Sequence, residues 1–189
     1  MSNFVAVYDA CVLYPAPLRD LLMHLALSGL YRARWTSRIH DEWMNALLAK
    51  RPDLAREQLE WTRDQMNRAV EDCLVAGHEH LEAGLNLPDP GDCHVLAAAI
   101  LCQAGTIVTY NLRHFPDAVL APYGLCAQHP DQFIEHAFDF DQAAVCKAVR
   151  DQRASLRNPP RTVDELFDVY LERGLATTVA ALRPHSDLL

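Results

Sequence analysis

Asp92-Cys-His-Val-Leu-Ala-Ala-Ala-Ile-Leu-Cys-Gln-Ala-Gly-Thr-Ile-Val-Thr-Tyr-Asn111 decides the fold class. Asp92 stands where a helix N-cap belongs, since its carboxylate can accept from a backbone N–H of the first turn. Val95–Ala104 follows as an apolar helical run, and Gly105 supplies the stop. Thr106–Tyr110 is β-branched, of strand length, and ends at Asn111. A buried helix feeding a buried strand favours an α/β domain.

The flanking segments repeat that alternation. Phe4–Tyr8 is a short apolar strand ending at Asp9, followed by a turn with Pro15 and Pro17. Leu18, Leu21, Leu22 and Leu25 recur at helical spacing up to Gly29, and Tyr31–Trp35 reads as a second strand. Thr36 or Ser37 caps the next helix, which carries Glu42, buries Ile39, Trp43, Ala46 and Leu47, and ends before Pro52. A charged, surface-packed helix is expected over 53–72, then a short strand over 73–76 and a turn-dense stretch over 85–92. Leu125–Gln128 is the last strand. Beyond it only helices are predicted: one opened by Pro130, one over 142–156 broken at Asn158-Pro159-Pro160, and one capped by Thr162-Val-Asp-Glu165 and stopped at Gly174. The expectation is a three-layer α/β/α domain with a parallel central sheet over 1–136, and a helical C-terminal extension over 137–189.

At 189 residues, with half of them hydrophobic and 22% charged, the composition is that of a globular domain and excludes disorder and low complexity. The longest apolar stretch, Val95–Cys102, falls far short of the roughly 20 residues a bilayer span needs. No signal-peptide pattern is present, and six scattered cysteines form neither a C-x-x-C pair nor a zinc-ligand spacing. A soluble cytoplasmic protein with reduced thiols is expected. The net charge of −8 argues against non-specific coating of nucleic acid, which requires clustered Lys and Arg. Charge is unevenly spread, however: residues 144–161 carry Lys147, Arg150, Arg153, Arg157 and Arg161 against only Asp151.

In open α/β sheets the functional crevice lies beyond the carboxyl ends of the strands. Asp9, Asn111, Asp92 and Glu42 are all predicted on that rim, from four separate segments. Each has a plain structural reading: a turn residue, a left-handed turn, an N-cap and a solvated helix position. Together, three carboxylates would raise one another's pKa. A divalent cation relieves that conflict, and hard oxygen ligands suit Mg²⁺ or Mn²⁺. Asp89 reads as a Pro-flanked turn residue or a supporting acid. His40, His94 and His114 lie beside these motifs but read as packing or surface residues, with His94 directed away from the rim. Arg19, Arg38 and Arg113 are the basic groups expected to meet a substrate.

The motifs Tyr8-Asp-Ala-Cys-Val-Leu-Tyr14, Ile39-His-Asp-Glu-Trp43, Pro88-Asp-Pro-Gly-Asp-Cys-His-Val-Leu-Ala-Ala-Ala99 and Val108-Thr-Tyr-Asn-Leu-Arg-His-Phe-Pro116 resemble those of the PIN-domain nucleases, closest to the VapC-like toxin branch. The likeness covers about residues 4–133. It implies a PIN-like fold and a metal-dependent ribonuclease with Asp9, Glu42 and Asp92 as metal-binding acids and Asn111 where the family has Asp or Asn. It places His114 where many relatives carry an acid, and makes Asp89 and His114 supporting residues. It further implies an RNA substrate, an antitoxin partner, a homodimer, and no membrane association. The helical tail is similar to an extension found on some toxins of that branch.

Two other classes compete. A protein-interaction module on the same fold would keep the site but lose catalysis, and Asn111 and the acidic charge favour it. A phosphotransfer domain using Asp9 as nucleophile lacks the second acid of D-x-D, since Cys11 stands there, and residues 105–129 contain no lysine.

Overall fold

Four parallel strands form one sheet in the order β2-β1-β3-β4, in a computed structural model that describes residues 4–189. The strands are β1 (Val5–Tyr8), β2 (Arg32–Arg34), β3 (Thr106–Val108) and β4 (Cys126–Gln128). Ala6 pairs with Ala33 on one side and with Thr106 on the other, so β1 is central. Every residue of β1 and β3 is buried, as parallel strands covered on both faces require. The flanking helices complete the three-layer α/β/α arrangement.

The topology positions the crevice. From β1 the chain crosses to β2 on one side, and later returns to β3 on the other. The gap between β1 and β3 is therefore the point where strand order reverses, and loops part there to leave a crevice. A one-turn helix, α1 (Ala10–Leu13), starts directly after Asp9 and leads into α2 (Ala16–Leu27), with Pro17 in its first turn and Gly29 at φ +79° beyond its end. Thr36 caps α3 (Ser37–Lys50) by accepting from the Ile39 N–H at 3.0 Å. Its buried face is Ile39, His40, Trp43 and Met44: Ile39 and Trp43 are buried as expected, while His40 and Met44 take the places of Ala46, which is exposed, and Leu47, which is only half-buried. His40 earns its core position by satisfying both ring nitrogens, accepting from Trp43 Nε1 and lying 3.0 Å from Asn67 Oδ1.

After α4 (Arg56–Ala69) the expected strand over 73–76 reduces to a single bridge between Trp35 and Leu74. The chain then passes through α5 (Glu79–Glu82), α6 (Cys93–Leu101), apolar but for His94, and α7 (Asp117–Leu120). The extension comprises α8 (Pro130–Phe140), α9 (Gln142–Ser155), α10 (Val163–Glu172) and α11 (Ala176–Leu182), closed by a 3₁₀ segment over Arg183–Leu188. The division drawn at 136/137 falls inside α8, which runs on without a break.

The extension packs on the core. Helix α9 lies along α2, where Gln152 Nε2 donates to the Pro17 carbonyl at 3.0 Å, and Tyr170 from α10 donates to the Gln152 side-chain carbonyl. Helix α11 begins at Leu175, which has no side-chain acceptor. Asp131 of α8 takes that role, accepting from Thr177 N at 2.9 Å and Thr178 N at 2.8 Å. No helix among the described residues is long and apolar enough to cross a membrane.

Candidate functional site

Asp9, Glu42, Asp92 and Asn111 line one cleft of about 360 Å³ at the carboxyl edge of the sheet. The segments that carry them are far apart in the chain, and the three carboxylates are each held by contacts of their own.

Asp9 follows β1 and is almost fully buried. Its Oδ2 accepts from Thr109 Oγ1 at 2.7 Å and from the Cys11 thiol at 3.0 Å. Thr109 is the first residue beyond β3, and its hydroxyl in turn accepts from the Asn111 N–H at 3.0 Å. Tyr110 N donates to Cys11 Sγ at 3.2 Å. The two strand-end segments at the switch point are thus laced together through Asp9. Burial, then the Asp9 carboxylate, pushes the Cys11 thiol well up, so it serves Asp9 as a neutral donor.

Glu42 occupies the second turn of α3. Arg38 Nε, one turn earlier, lies 3.4 Å from Glu42 Oε1, and His94 Nε2 lies 2.8 Å from the same oxygen. His94 therefore faces the site from α6, contrary to the expectation that it points away. Its imidazole is fully buried, and neither ring nitrogen makes a well-aligned hydrogen bond; the Glu42 approach is close in distance but poor in angle.

Asp92 is not the capping side chain its position suggested. Pro90 opens a 3₁₀ turn, Pro90–Asp92, and Asp89 caps it by accepting from the Gly91 N–H at 2.9 Å. That frees the Asp92 carboxylate, which makes no cap hydrogen bond. Instead its Oδ2 lies 2.8 Å from His114 Nδ1, with Asp89 Oδ2 at 3.7 Å from the same nitrogen. Ligand atoms of Asp89, Asp92 and His114 all fall within 4.8 Å of one another, a group compatible with a metal ion. Burial, then the nearby Asp9 and Asp89 carboxylates, raises the Asp92 carboxyl above its ordinary value, against the pull of His114.

Each of the three acids thus ties down one oxygen and leaves the other without a hydrogen-bond partner among the described residues. Asp9, Glu42 and Asp92 share the cleft without closing to the 4.8 Å spacing of the Asp89 group. Their separate anchors hold them in place.

The predicted basic contacts divide. Arg38 stands on the rim and also reaches Glu82 Oε2 at 3.3 Å and the Gly91 carbonyl at 3.4 Å, tying α3 to the 79–92 segment. Arg113 is exposed beside Asn111. Arg19 is a correction. It donates to the Leu13 carbonyl at 2.7 Å, stacks 4.6 Å from the Trp43 ring centroid, and is buried enough to lower its pKa to about 10. Its guanidinium holds α1, α2 and α3 together, which removes it from the substrate side. Arg153, in the basic stripe of the extension, is half-buried and committed within the chain, donating to the carbonyls of Arg161 at 3.2 Å and Leu189 at 3.0 Å.

Sequence reasoning missed Thr109, Cys11, Lys50 and Tyr110. Thr109 was detectable as a hydroxyl at the strand end that bears Asn111. Cys11 and Lys50 carried no pattern; Lys50 closes one side of the cleft, with its ammonium 5.2 Å from the Tyr14 ring centroid. Tyr110 turns its ring away from the cleft, and burial pushes its phenol up to about 12.

Comparison with known proteins bears on the family and the fold. Residues 5–113 match the PIN domain family, and residues 130–184 match the VapC50 C-terminal domain. Over 82 residues the chain is 40% identical to "Putative ribonuclease VapC50" of Mycobacterium tuberculosis (strain ATCC 25618 / H37Rv), covering 43% of this chain and 48% of that protein. The chain thus spans about half the length of the curated relative it matches. No solved structure matches it.

Proposed function

The chain belongs to the PIN-domain family, with a VapC50-type C-terminal domain, and on that footing we propose that it is a metal-dependent endoribonuclease, the toxin of a toxin–antitoxin pair. The observation that carries this reading is the cleft in which Asp9, Glu42 and Asp92 each keep one carboxylate oxygen free. Hard oxygen donors fit Mg²⁺ or Mn²⁺, and the raised Asp92 carboxyl marks a place where added positive charge is favourable.

In this reading Asp9 and Asp92 hold the cation, Glu42 holds it or orients the attacking water, and Asn111 contributes a neutral oxygen or a hydrogen bond. When bound, such a cation supplies Lewis acidity, polarising a phosphoryl oxygen and making water more acidic. Thr109 and Cys11 hold Asp9 in one rotamer, and His94 with Arg38 does the same for Glu42. Asp89 and His114 fix Asp92 from outside. Lys50, Arg38 and Arg113 offer positive charge to the RNA backbone along the rim. The nuclease domain spans about 1–136 and the extension 137–189, with α8 shared between them. The natural partners are RNA, an antitoxin protein and a second copy of this chain, in the cytoplasm.

The test is cleavage of single-stranded RNA with Mn²⁺. Asp9→Asn and Asp92→Asn reduce it to background, and Asp9→Asn also abolishes the growth arrest that the native chain causes on expression. Asp92→Asn is at least as heat-stable as the native protein. Its advantage grows as pH rises through the raised Asp92 value and vanishes below the ordinary value of about 3.9, where both states are protonated. Full cleavage by both variants sinks the assignment.

A further inference from the structure

Tyr110 lies between two residues of the cleft edge, Thr109, which holds Asp9, and Asn111, which lines the cleft. Its backbone N–H is fastened to Cys11 on the α1 side. Its side chain runs the other way, into the extension. The phenol donates to the Arg173 carbonyl at 2.8 Å, and the ring sits edge-on to His129, with centroids 5.1 Å apart.

The receiving corner is well defined. Arg173 follows the last residue of α10, and Gly174 at φ +75° turns the chain into α11. His129 Cε1 lies 3.8 Å from where a Gly174 Cβ would sit. Leu175 is fully buried, and Asp131 holds the Thr177 and Thr178 amides in the first turn of α11. A carbonyl fixed on both sides is a firm acceptor. The residue between Thr109 and Asn111 is therefore braced by the extension as well as by the core.

Building on the ribonuclease reading above, we infer that the C-terminal extension is a working part of the cleft: the Tyr110–Arg173 hydrogen bond sets the strand-end segment that fixes Asp9 and presents Asn111. Tyr110 is a positioning residue, and the α10–α11 corner is its support. Neither touches the substrate. Loosening this brace lets the Thr109–Asn111 segment drift, so that the cleft oxygens lose their mutual placement while the sheet stays intact.

Calorimetry of Mn²⁺ binding to the full chain, without RNA, tests the inference alongside steady-state cleavage. Tyr110→Phe keeps the ring and deletes only the donor. The expected result is Mn²⁺ binding weakened by about three- to tenfold, the range that one net hydrogen bond commands, with kcat lowered by a similar factor and KM within twofold. Gly174→Ala strains the corner from the extension side, touches no cleft residue, and gives the same direction of change. Thr162→Ala, at the far end of α10, lowers the melting temperature without moving the Mn²⁺ affinity. Unchanged Mn²⁺ affinity in Tyr110→Phe and Gly174→Ala overturns the inference, as does an equal loss in Thr162→Ala. Should Tyr110→Phe fail to fold, Gly174→Ala decides alone. Asp9→Asn separates the two claims: it loses Mn²⁺ binding if the metal site is correctly placed, whatever Tyr110→Phe does, and retained binding there refutes the site itself.

Discussion

Asp131→Asn should uncouple α11 from the core in a way that depends on pH. Asp131 is 8% exposed, and its two oxygens take the N–H groups of Thr177 and Thr178 separately. These are orphan donors of the first turn of α11, which no residue of α11 itself can satisfy. An asparagine of the same shape keeps one acceptor and turns an NH₂ towards the other donor. Losing one charge-assisted hydrogen bond costs roughly 1.5–3 kcal/mol, and the charge near a helix N-terminus adds about 0.5. A total of about 2–3 kcal/mol corresponds to a melting temperature lower by roughly 5–10 °C for a chain of this length. The sign of the pH effect follows from the Asp131 carboxyl. Burial pushes it up, but the hydrogen bonds from Thr178 and Thr177 outweigh that and hold it below its ordinary value. A depressed folded value contributes stability that is complete above the unfolded value of about 3.9 and disappears as pH falls through the folded one. Urea denaturation of the native and variant chains at pH 7 and pH 3 measures the difference, in which all other carboxylates cancel. The gap should be full at pH 7 and narrower at pH 3, by up to about 1.3 kcal/mol, since pH 3 lies about one unit below the unfolded value. An equal gap at both, or one under about 0.5 kcal/mol at pH 7, refutes the reasoning.

His94→Leu fills the same buried volume and removes two ring nitrogens that lack aligned partners, so thermal melting should be unchanged or higher, while Glu42 loses its support and Mn²⁺-dependent cleavage falls by about tenfold; undiminished cleavage would show that Glu42 needs no such support. The basic stripe of the extension should separate by burial: Arg153→Glu destabilises by about 1–3 kcal/mol because it strips donors from the Arg161 and Leu189 carbonyls. Arg150→Glu, on an exposed residue, leaves melting alone and reports through the salt dependence of RNA binding. A salt slope identical to that of the native protein removes Arg150 from the interface.

Much of the fold was legible because its signals are local. Thr36, the Thr162–Glu165 capping box and Pro130 each act within a turn of their own helix, and all three stand where their chemistry requires. The parallel sheet followed from the alternation of short strand-length segments with helical ones, clearest in the fully buried β1 and β3. What failed was the choice between two neighbours with equal local claims. Asp92 and Asp89 could each have capped the segment leading into α6; Pro90, by opening a 3₁₀ turn, gave the task to Asp89. The face of α3 shifted because His40, a polar residue, found two partners in the core. Arg19 was misplaced since a cation's partners, here a carbonyl and an indole, come from other helices and leave no spacing to read.

The choice of caps bears on the site's chemistry. A carboxylate that caps a helix is spent on backbone amides and has little left for a ligand. In this cleft the capping work falls elsewhere: Thr36 caps the helix that carries Glu42, and Asp89 caps the turn that carries Asp92. Asp9 precedes α1 without accepting from its backbone amides, being held instead by the Thr109 hydroxyl and the Cys11 thiol. The three acids are therefore relieved of capping. Exchanging the roles, as in Asp89→Ala, should draw Asp92 towards the vacated Gly91 amide. Mn²⁺ affinity would then fall by more than the loss of one neighbouring negative charge explains. Measured against Glu82→Gln, which also deletes an acid from the rim but leaves the cap intact, an equal effect of the two would show that charge alone matters there.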